Sequence, residues 1–567
     1  MTAIRTVKTD CPDGLMKKRM SLMETNHHDA PSRSCNRFGL IFFGGMAGWT
    51  LLLCIWLYHY TIRGGGLPCW DEWERCAWAS NIWYDLLHFD IVLFWNHTNT
   101  QVVWPFLHSW VTGILFVLFG PTLETARLVS LLSLFGSALI LLYFFLKRAD
   151  PFDWIAGIVA WILFSTSPLI IQHAASVMSE LPGLFLVLLV LLVWPDNTET
   201  GKRRLILAGF FMGLLFYYKY NYAFLTYFAL ITATLFKERF HIRVLLSKQY
   251  DLLFGLPLTM LLLWLLPSFS RKIAGLVGFA LNNPNVRMPF TLSSFLYYPE
   301  RIPLEYFASP FFAIASLVLV VIAVFLSKTI RLTNPVVTCF LIHFLAAVIH
   351  PMKDARFMFI PMGLFFLLTG ESVSAMLRRI FLISETRRHH AILLLLLPLL
   401  IPTFVYQTKV FRQANISKEQ FFLAPIQTVI NHTQKTDNIA FLISHDQISP
   451  PAITYYLTTA HDIVQSREDG SLKNWNYLFL FEPGEKVRAL SAEERRKQLE
   501  YFLYIFKSTK IITIQSTAPW SIARFESLFG GTHEYAELVS QLDKFTLDFE
   551  RDFKQTYSRV RVYSFHP

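Results

Sequence analysis

A succession of long apolar runs constrains this chain more than any other feature. They fall at residues 38–60, 105–120, 127–146, 154–173, 181–195, 204–218, 221–236, 251–267, 310–326, 335–350, 356–372 and 391–407. At about 1.5 Å per helical residue, runs of this length suit a hydrocarbon layer about 30 Å thick. Lipid cannot hydrogen-bond the backbone, so such runs cross it as helices. Composition agrees: 53% of the 567 residues are apolar, 52 are phenylalanine and only 16% are charged, against roughly 25% charged in globular proteins. The 51 Lys plus Arg exceed the 40 Asp plus Glu, but they sit in short clusters flanking apolar runs. That is the positive-inside pattern of a membrane protein rather than a nucleic-acid-binding stripe. The six cysteines include no CxxC pair, so neither a zinc site nor a disulfide framework is indicated.

Lys and Arg also predict orientation. The tail 1–37, Lys202-Arg203-Arg204, Lys237 to Lys248, Lys328 to Arg331 and Arg378 to Arg388 are expected on the cytoplasmic side. Alternation then holds for every run after residue 181. Before it, three runs separate the loops at 61–104 and near Glu180, both of which should be external, so one run fails to cross. Taking 105–120 as re-entrant or surface-lying leaves Lys147 and Arg148 inside with the other cations, and that run is short and begins at Pro105. The expectation is therefore a polytopic α-helical membrane protein of about eleven spans. The segment 38–407 forms the multi-spanning domain, with external loops at 61–104 and 268–309. The apolar run after the polar tail is too long for a signal-peptide core and reads as an uncleaved anchor.

After residue 408 the composition becomes that of a soluble domain. Short β-branched stretches at Asn438 to Ser444, Tyr477 to Phe481, Lys510 to Ile514 and Val560 to Phe565 alternate with helical patterns such as Ser491 to Phe506. Residues 408–567 thus predict a soluble α/β domain, external by parity. It shows no glycine-rich phosphate loop and no nucleophile elbow, and no chemistry is assigned to it.

Chemistry points instead to the external loops. Cys69-Trp-Asp71-Glu72-Trp-Glu-Arg-Cys76 follows the first apolar run. A carboxylate at the membrane surface can take a proton from an attacking hydroxyl or amine, which makes Asp71 the candidate base with Glu72 beside it. The plainer alternative, acids that cap an interfacial helix anchored by tryptophans, stays open. Glu180, in Ser179-Glu180-Leu-Pro182, falls on the same side; a helix-start glutamate, with Ser179 as N-cap, is its plainer reading. Lys219, Lys353 and Arg356 are external cations suited to a lipid phosphate, with snorkelling at helix ends as the alternative. Tyr220 beside Lys219, Tyr297 and Tyr298 in the 268–309 loop, and His350 before Lys353 are candidate groove residues. Cys69 and Cys76 flank the acidic cluster; residues seven apart on one helix lie too far apart for a disulfide, so bonding would require a turn. No cofactor is assigned, and the acidic cluster leaves room for a divalent cation.

Together these residues resemble glycosyltransferase family 39, which includes protein O-mannosyltransferases and the bacterial aminoarabinose transferases of lipid A. The resemblance rests on Asp71-Glu72 after the first helix and on Trp104-Pro105 opening a helix that ends Phe119-Gly120-Pro-Thr-Leu-Glu-Thr-Ala-Arg127. It continues through Ser167-Pro168, Ser179-Glu180-Leu-Pro182, Lys219 and Lys353-Asp-Ala-Arg356-Phe-Met-Phe-Ile-Pro361, and so covers roughly residues 38–372. It implies the C-type glycosyltransferase fold and an inverting transfer of a sugar from a polyprenyl-phosphate carrier to a lipid, glycan or protein acceptor. Asp71 then matches the catalytic base, Glu180 a second acid that is usually Asp, and Lys219, Lys353 and Arg356 positions near the carrier phosphate. The chain departs at Val103-Trp104-Pro105, where the family often has Lys-Pro-Pro. A bacterial inner membrane location, with the site facing outward, fits this reading. The competing class, a transporter or flippase, predicts inverted repeats and mid-membrane ionisable groups; no repeat is visible here.

Overall fold

The computed structural model describes residues 33–63, 70–101, 104–148, 150–194, 202–241, 243, 250–274, 291–326, 330–351, 353–380, 403–409, 423–434, 436–445, 448–461, 477–479, 491–506, 508–528 and 532–564. Within these residues the apolar runs are largely helical. In order they are α1 Arg33–Leu57, α2 Trp70–His88, α3 Ile91–Thr100, α4 Leu107–Phe119, α5 Leu123–Leu146, α6 Pro151–Ser165, α7 Pro168–Ala174, α8 Glu180–Val193, α9 Lys202–Tyr218 and α10 Tyr220–Lys237. They continue with α11 Leu256–Leu265, α12 Leu292–Glu305, α13 Pro310–Leu326, α14 Pro335–Ile349 and α15 Phe359–Ile380.

Among the described residues four helices are long and apolar enough to cross a membrane, or six when two bent pairs each count as one span. Most of the predicted run 391–407 lies outside the described residues. Helices such as α13 carry the expected lipid-facing side chains: Phe311, Ile314, Leu317 and Phe325 are exposed, which water would penalise and acyl chains do not.

One sequence reading needs correction. The run 154–173 is not one helix, since α6 and α7 meet at 68°. Ser167 precedes Pro168 and is extended there, as a residue before proline tends to be. The loop at 61–104 is largely helical, being α2 and α3. Part of 268–309 is helical as well: α12 turns into α13 at 113°.

Chain direction separates the two ends of the bundle. Helices α8 and α10 begin beside Glu180 and Lys219, and α14 ends beside His350. Their other ends lie beside Trp194, at Lys237 and at Pro335, while α5 leads to Lys147 and α15 to Arg378-Arg379. The basic clusters therefore gather at the end remote from Glu180, the distribution expected of a positive-inside protein.

The C-terminal residues form helices α16 Leu423–Asn431, α17 Pro450–His461, α18 Ala492–Phe506, α19 Pro519–Leu528 and α20 Thr532–Ser540. Their strands are β1 Ile439–Ser444, β2 Tyr477–Phe479, β3 Lys510–Ser516, β4 Thr546–Phe553 and β5 Ser558–Ser564. One five-stranded sheet has the order β2-β1-β3-β5-β4, with β1 parallel to β2 and β3 and the remaining pairs antiparallel. Strand alternation splits its core. Ala440, Leu442 and Ile511 pack with Leu499, Phe525 and Leu538, whereas Ile439, Phe441 and Ile512 pack with Ile426, Ile453 and Tyr455.

The second of these clusters also includes Trp73 of α2. Tyr455 and Tyr456 lie 5.7 and 5.6 Å from the Trp73 ring, and the Tyr455 hydroxyl donates to the Pro121 carbonyl at 2.7 Å. The α/β layer therefore rests on the bundle end that carries Asp71.

Candidate active site

Helix α2 opens with Asp71 and Glu72 in its first turn, where the helix dipole favours carboxylates. One turn on, Arg75 falls on the same helical face as Asp71. Asp71 is half-exposed and accepts a 2.8 Å bond from an Arg356 terminal nitrogen. Arg356 belongs to a short 3₁₀ turn, Ala355–Met358, capped by Asp354, which accepts from the Arg356 amide at 2.9 Å and from its Nε at 2.8 Å. Asp354 and Asp71 thus hold two different nitrogens of the guanidinium. Three tyrosines fix this turn by donating to successive carbonyls: Tyr298 to Asp354 at 3.3 Å, Tyr306 to Ala355 at 2.7 Å and Tyr222 to Arg356 at 3.4 Å.

Beneath that pair lies a second one. Lys219 sits at the break between α9 and α10 with an extended backbone, and its Nζ donates to Glu180 at 2.7 Å, both side chains being buried. His173 Nδ1 approaches the other Glu180 oxygen at 3.8 Å. Tyr222 joins the two pairs, since Lys219 Nζ lies 4.3 Å from its ring and its hydroxyl reaches Arg356.

Around Glu180 the buried polar atoms Arg75 Nε, His108 Nε2, Tyr218 Oη and Ser179 Oγ have no hydrogen-bond partner among the described residues. His108 and Tyr218 have ring centroids 5.6 Å apart, and the charges of Arg75 and Glu180 bear on both. Buried polar groups are normally bonded, so such a cluster is a candidate place for a polar ligand. Arg75 is 3% exposed, and its guanidinium lies 4.5 Å over the Trp104 ring. Trp104 in turn donates to Glu74 at 2.9 Å. Burial pushes the Glu74 carboxyl up, although the Trp104 bond and the Arg75 charge oppose this.

The structure thus brings together Asp71, Arg356, Glu180 and Lys219, drawn from four separate stretches of sequence. It does not bring Glu72 with them: Glu72 is buried and accepts from the Val177 amide at 2.9 Å, tying α2 to the turn before Glu180. Lys353 folds back onto α14, donating to the carbonyl oxygens of Val348 and Ala347, an arrangement suited to a helix C-terminus. Its ammonium lies 5.5 Å from the Tyr298 ring. Tyr297 and Tyr298 meet edge to face at 5.1 Å, His350 lies 5.0 Å from Phe357, and Tyr220 packs on the main apolar core. Ser179 occupies the N-cap of α8, but its hydroxyl makes no capping bond. Cys69 lies outside the described residues, while Cys76 is buried in α2. Among the described residues no three His, Cys, Asp or Glu side chains group as a metal site.

Sequence reasoning missed Asp354, Arg75, His173, His108 and Tyr222. A signal existed for two of them: Arg75 is one helical turn from Asp71, and Asp354 lies inside the quoted Lys353 to Arg356 motif.

Residues 103–266 match the family model described as dolichyl-phosphate-mannose-protein mannosyltransferase. In structure the chain is similar to ArnT from Cupriavidus metallidurans bound to undecaprenyl phosphate. The TM-score is 0.58 at 13% identity, covering 91% of this chain and 98% of that one. The chain therefore shares the fold of that protein over nearly its whole length. The apo form of the same ArnT gives a TM-score of 0.57 at 12% identity, covering 92% of this chain and 98% of that one. No curated protein matches the sequence. On this fold, the family model spans from the residue before Trp104 through α11, and so takes in His108, His173, Glu180 and Lys219.

Proposed function

We propose that the chain is an inverting glycosyltransferase that moves a sugar from a polyprenyl-phosphate carrier to an acceptor at the external membrane face. The observation that carries this reading is the meeting of Asp71 with Arg356, and of Glu180 with Lys219, at one end of the bundle. In the reaction the acceptor oxygen or nitrogen forms a bond to the anomeric carbon while that carbon's bond to the phosphate oxygen breaks. The electron pair leaves with the lipid phosphate, and Asp71 receives the acceptor proton.

The ground-state ion pair suggests how the steps are ordered. Asp354 holds the Nε edge of Arg356, so its outer nitrogen can turn from Asp71 to an arriving phosphate. That exchange would place a forked cation on the leaving group and free an Asp71 oxygen for the acceptor. Arg75 is the second phosphate-facing cation in this scheme. Lys219, read from the sequence as a phosphate contact, acts here by holding Glu180 beneath the sugar, and Lys353 by fixing the turn that carries Arg356. The bilayer keeps donor and enzyme in one plane, which supplies positioning without a nucleotide site.

The same reading takes residues 1–37 as a cytoplasmic tail, 38–407 as about eleven spans and 408–567 as an external domain. A single cysteine introduced beside Lys147 should accept a membrane-impermeant maleimide only from the cytoplasmic side; external labelling would reverse the topology.

Purified protein should transfer radiolabelled sugar from a polyprenyl phosphate, whereas a flippase would move the lipid without consuming it. Arg75→Leu should raise the apparent KM for the donor roughly 10- to 100-fold, the loss expected for a hydrogen bond to a charged group. Arg75→Lys should recover part of that loss. An unchanged donor KM in Arg75→Leu would remove Arg75 from the phosphate site.

A further inference from the structure

At the end of the bundle remote from Asp71, the helices open on a cleft of about 290 Å³. Its polar wall includes Lys147, Arg148, Lys237, Asn334 and Glu371. Helices α8 and α10 run from the Glu180–Lys219 pair to this wall over roughly 20–27 Å at the helical rise. The cleft is therefore a separate place, near the opposite membrane surface. We propose that it holds the phosphate headgroup of an anionic membrane phospholipid.

Charge is the first reason. Among the described residues three cations and one carboxylate line the cleft, and Arg148 donates to that carboxylate, Glu371, at 2.7 Å while also approaching Asp153 at 3.9 Å. Lysines at the C-terminal ends of α5 and α10 suit the helix dipoles there, which accounts for each of Lys147 and Lys237 alone. It does not account for both facing a common cleft that also receives the opposite pole of another helix. The start of α14, 15 residues long, forms part of this wall through Pro335 and Val336, with Asn334 as its cap at 2.9 Å from the Val336 amide. A helix N-terminus adds partial positive charge.

Apolar surface is the second reason. Phe144, Leu191 and Val336 line the same cleft together with Trp194, a residue type enriched at the membrane–water interface. A soluble phosphate would use the cations alone. A phospholipid uses the cations for its headgroup and the apolar wall for the start of its acyl chains, as basic pockets between spanning helices do on the cytoplasmic side.

Trp194 supplies the probe. The full chain in detergent would be titrated with phosphatidylglycerol brominated on its acyl chains, with equally brominated phosphatidylcholine, and with sn-glycerol 3-phosphate as a soluble competitor. Phosphatidylglycerol should quench a fluorescence component that is missing in Trp194→Phe. Phosphatidylcholine should quench it far less, and Lys147→Gln/Lys237→Gln should weaken the phosphatidylglycerol effect at least tenfold. Equal quenching by the two lipids, or quenching unaltered in the double variant, would overturn the proposal. Displacement of the lipid by equimolar glycerol phosphate would overturn it too, by making this a soluble-anion site. None of these readouts depends on sugar transfer.

Discussion

Asp71→Asn is expected to lower transfer by about 10²- to 10⁴-fold, the range for removing a positioned general base, while leaving the protein folded. Asparagine keeps the shape of aspartate and can still accept from Arg356 through its amide oxygen, so the geometry around the guanidinium survives. Stability should barely change, because the Asp71 and Arg356 side chains are 37% and 30% exposed, and ion pairs this open to solvent contribute about 1 kcal/mol or less. Thermal unfolding in detergent should therefore match the parent protein while radiolabel transfer falls. Full activity in Asp71→Asn would exclude Asp71 as the base; a large drop in the unfolding midpoint would instead assign the residue to structure.

The sequence revealed the bundle more readily than the site, for a physical reason. Apolar runs are local signals, and positive-inside clustering orders them without knowledge of packing. Three-dimensional pairing is not local. Asp71 and Arg356 are 285 positions apart, Glu180 and Lys219 are 39 apart, and only the order of motifs in a family resemblance hinted at their meeting. Even within a motif, side-chain direction was invisible: Asp71 and Glu72 are neighbours, yet consecutive helical positions point to different sides, and Glu72 reaches the Val177 amide instead.

The small domain shows the converse problem. Strands β1, β2, β3 and β5 coincide with β-branched stretches, whereas β4 was missed. Its sequence, Thr-Leu-Asp-Phe-Glu-Arg-Asp-Phe, is largely exposed and lies at the edge of the sheet. Cross-strand pairs of Arg559 with Asp552 and Arg561 with Glu550 replace the buried apolar face that pattern reading looks for.

Lys219→Met should destabilise the protein by about 3–5 kcal/mol, the cost of leaving one member of a buried ion pair without its partner. The prediction follows from burial: the Lys219 and Glu180 side chains are 7% and 5% exposed, so water cannot take over the lost charge. Adding Glu180→Gln should recover most of that stability, since a neutral pair of similar volume avoids the desolvation penalty altogether. Transfer, by contrast, should stay lost in the double variant, because the carboxylate assigned to the sugar is now missing as well. The two measurements divide the pair's roles. Recovery of both stability and transfer would make the pair purely structural. A double variant no more stable than Lys219→Met would mean that the two charges do not depend on each other, and the coupling drawn between α8 and the α9–α10 break would be wrong.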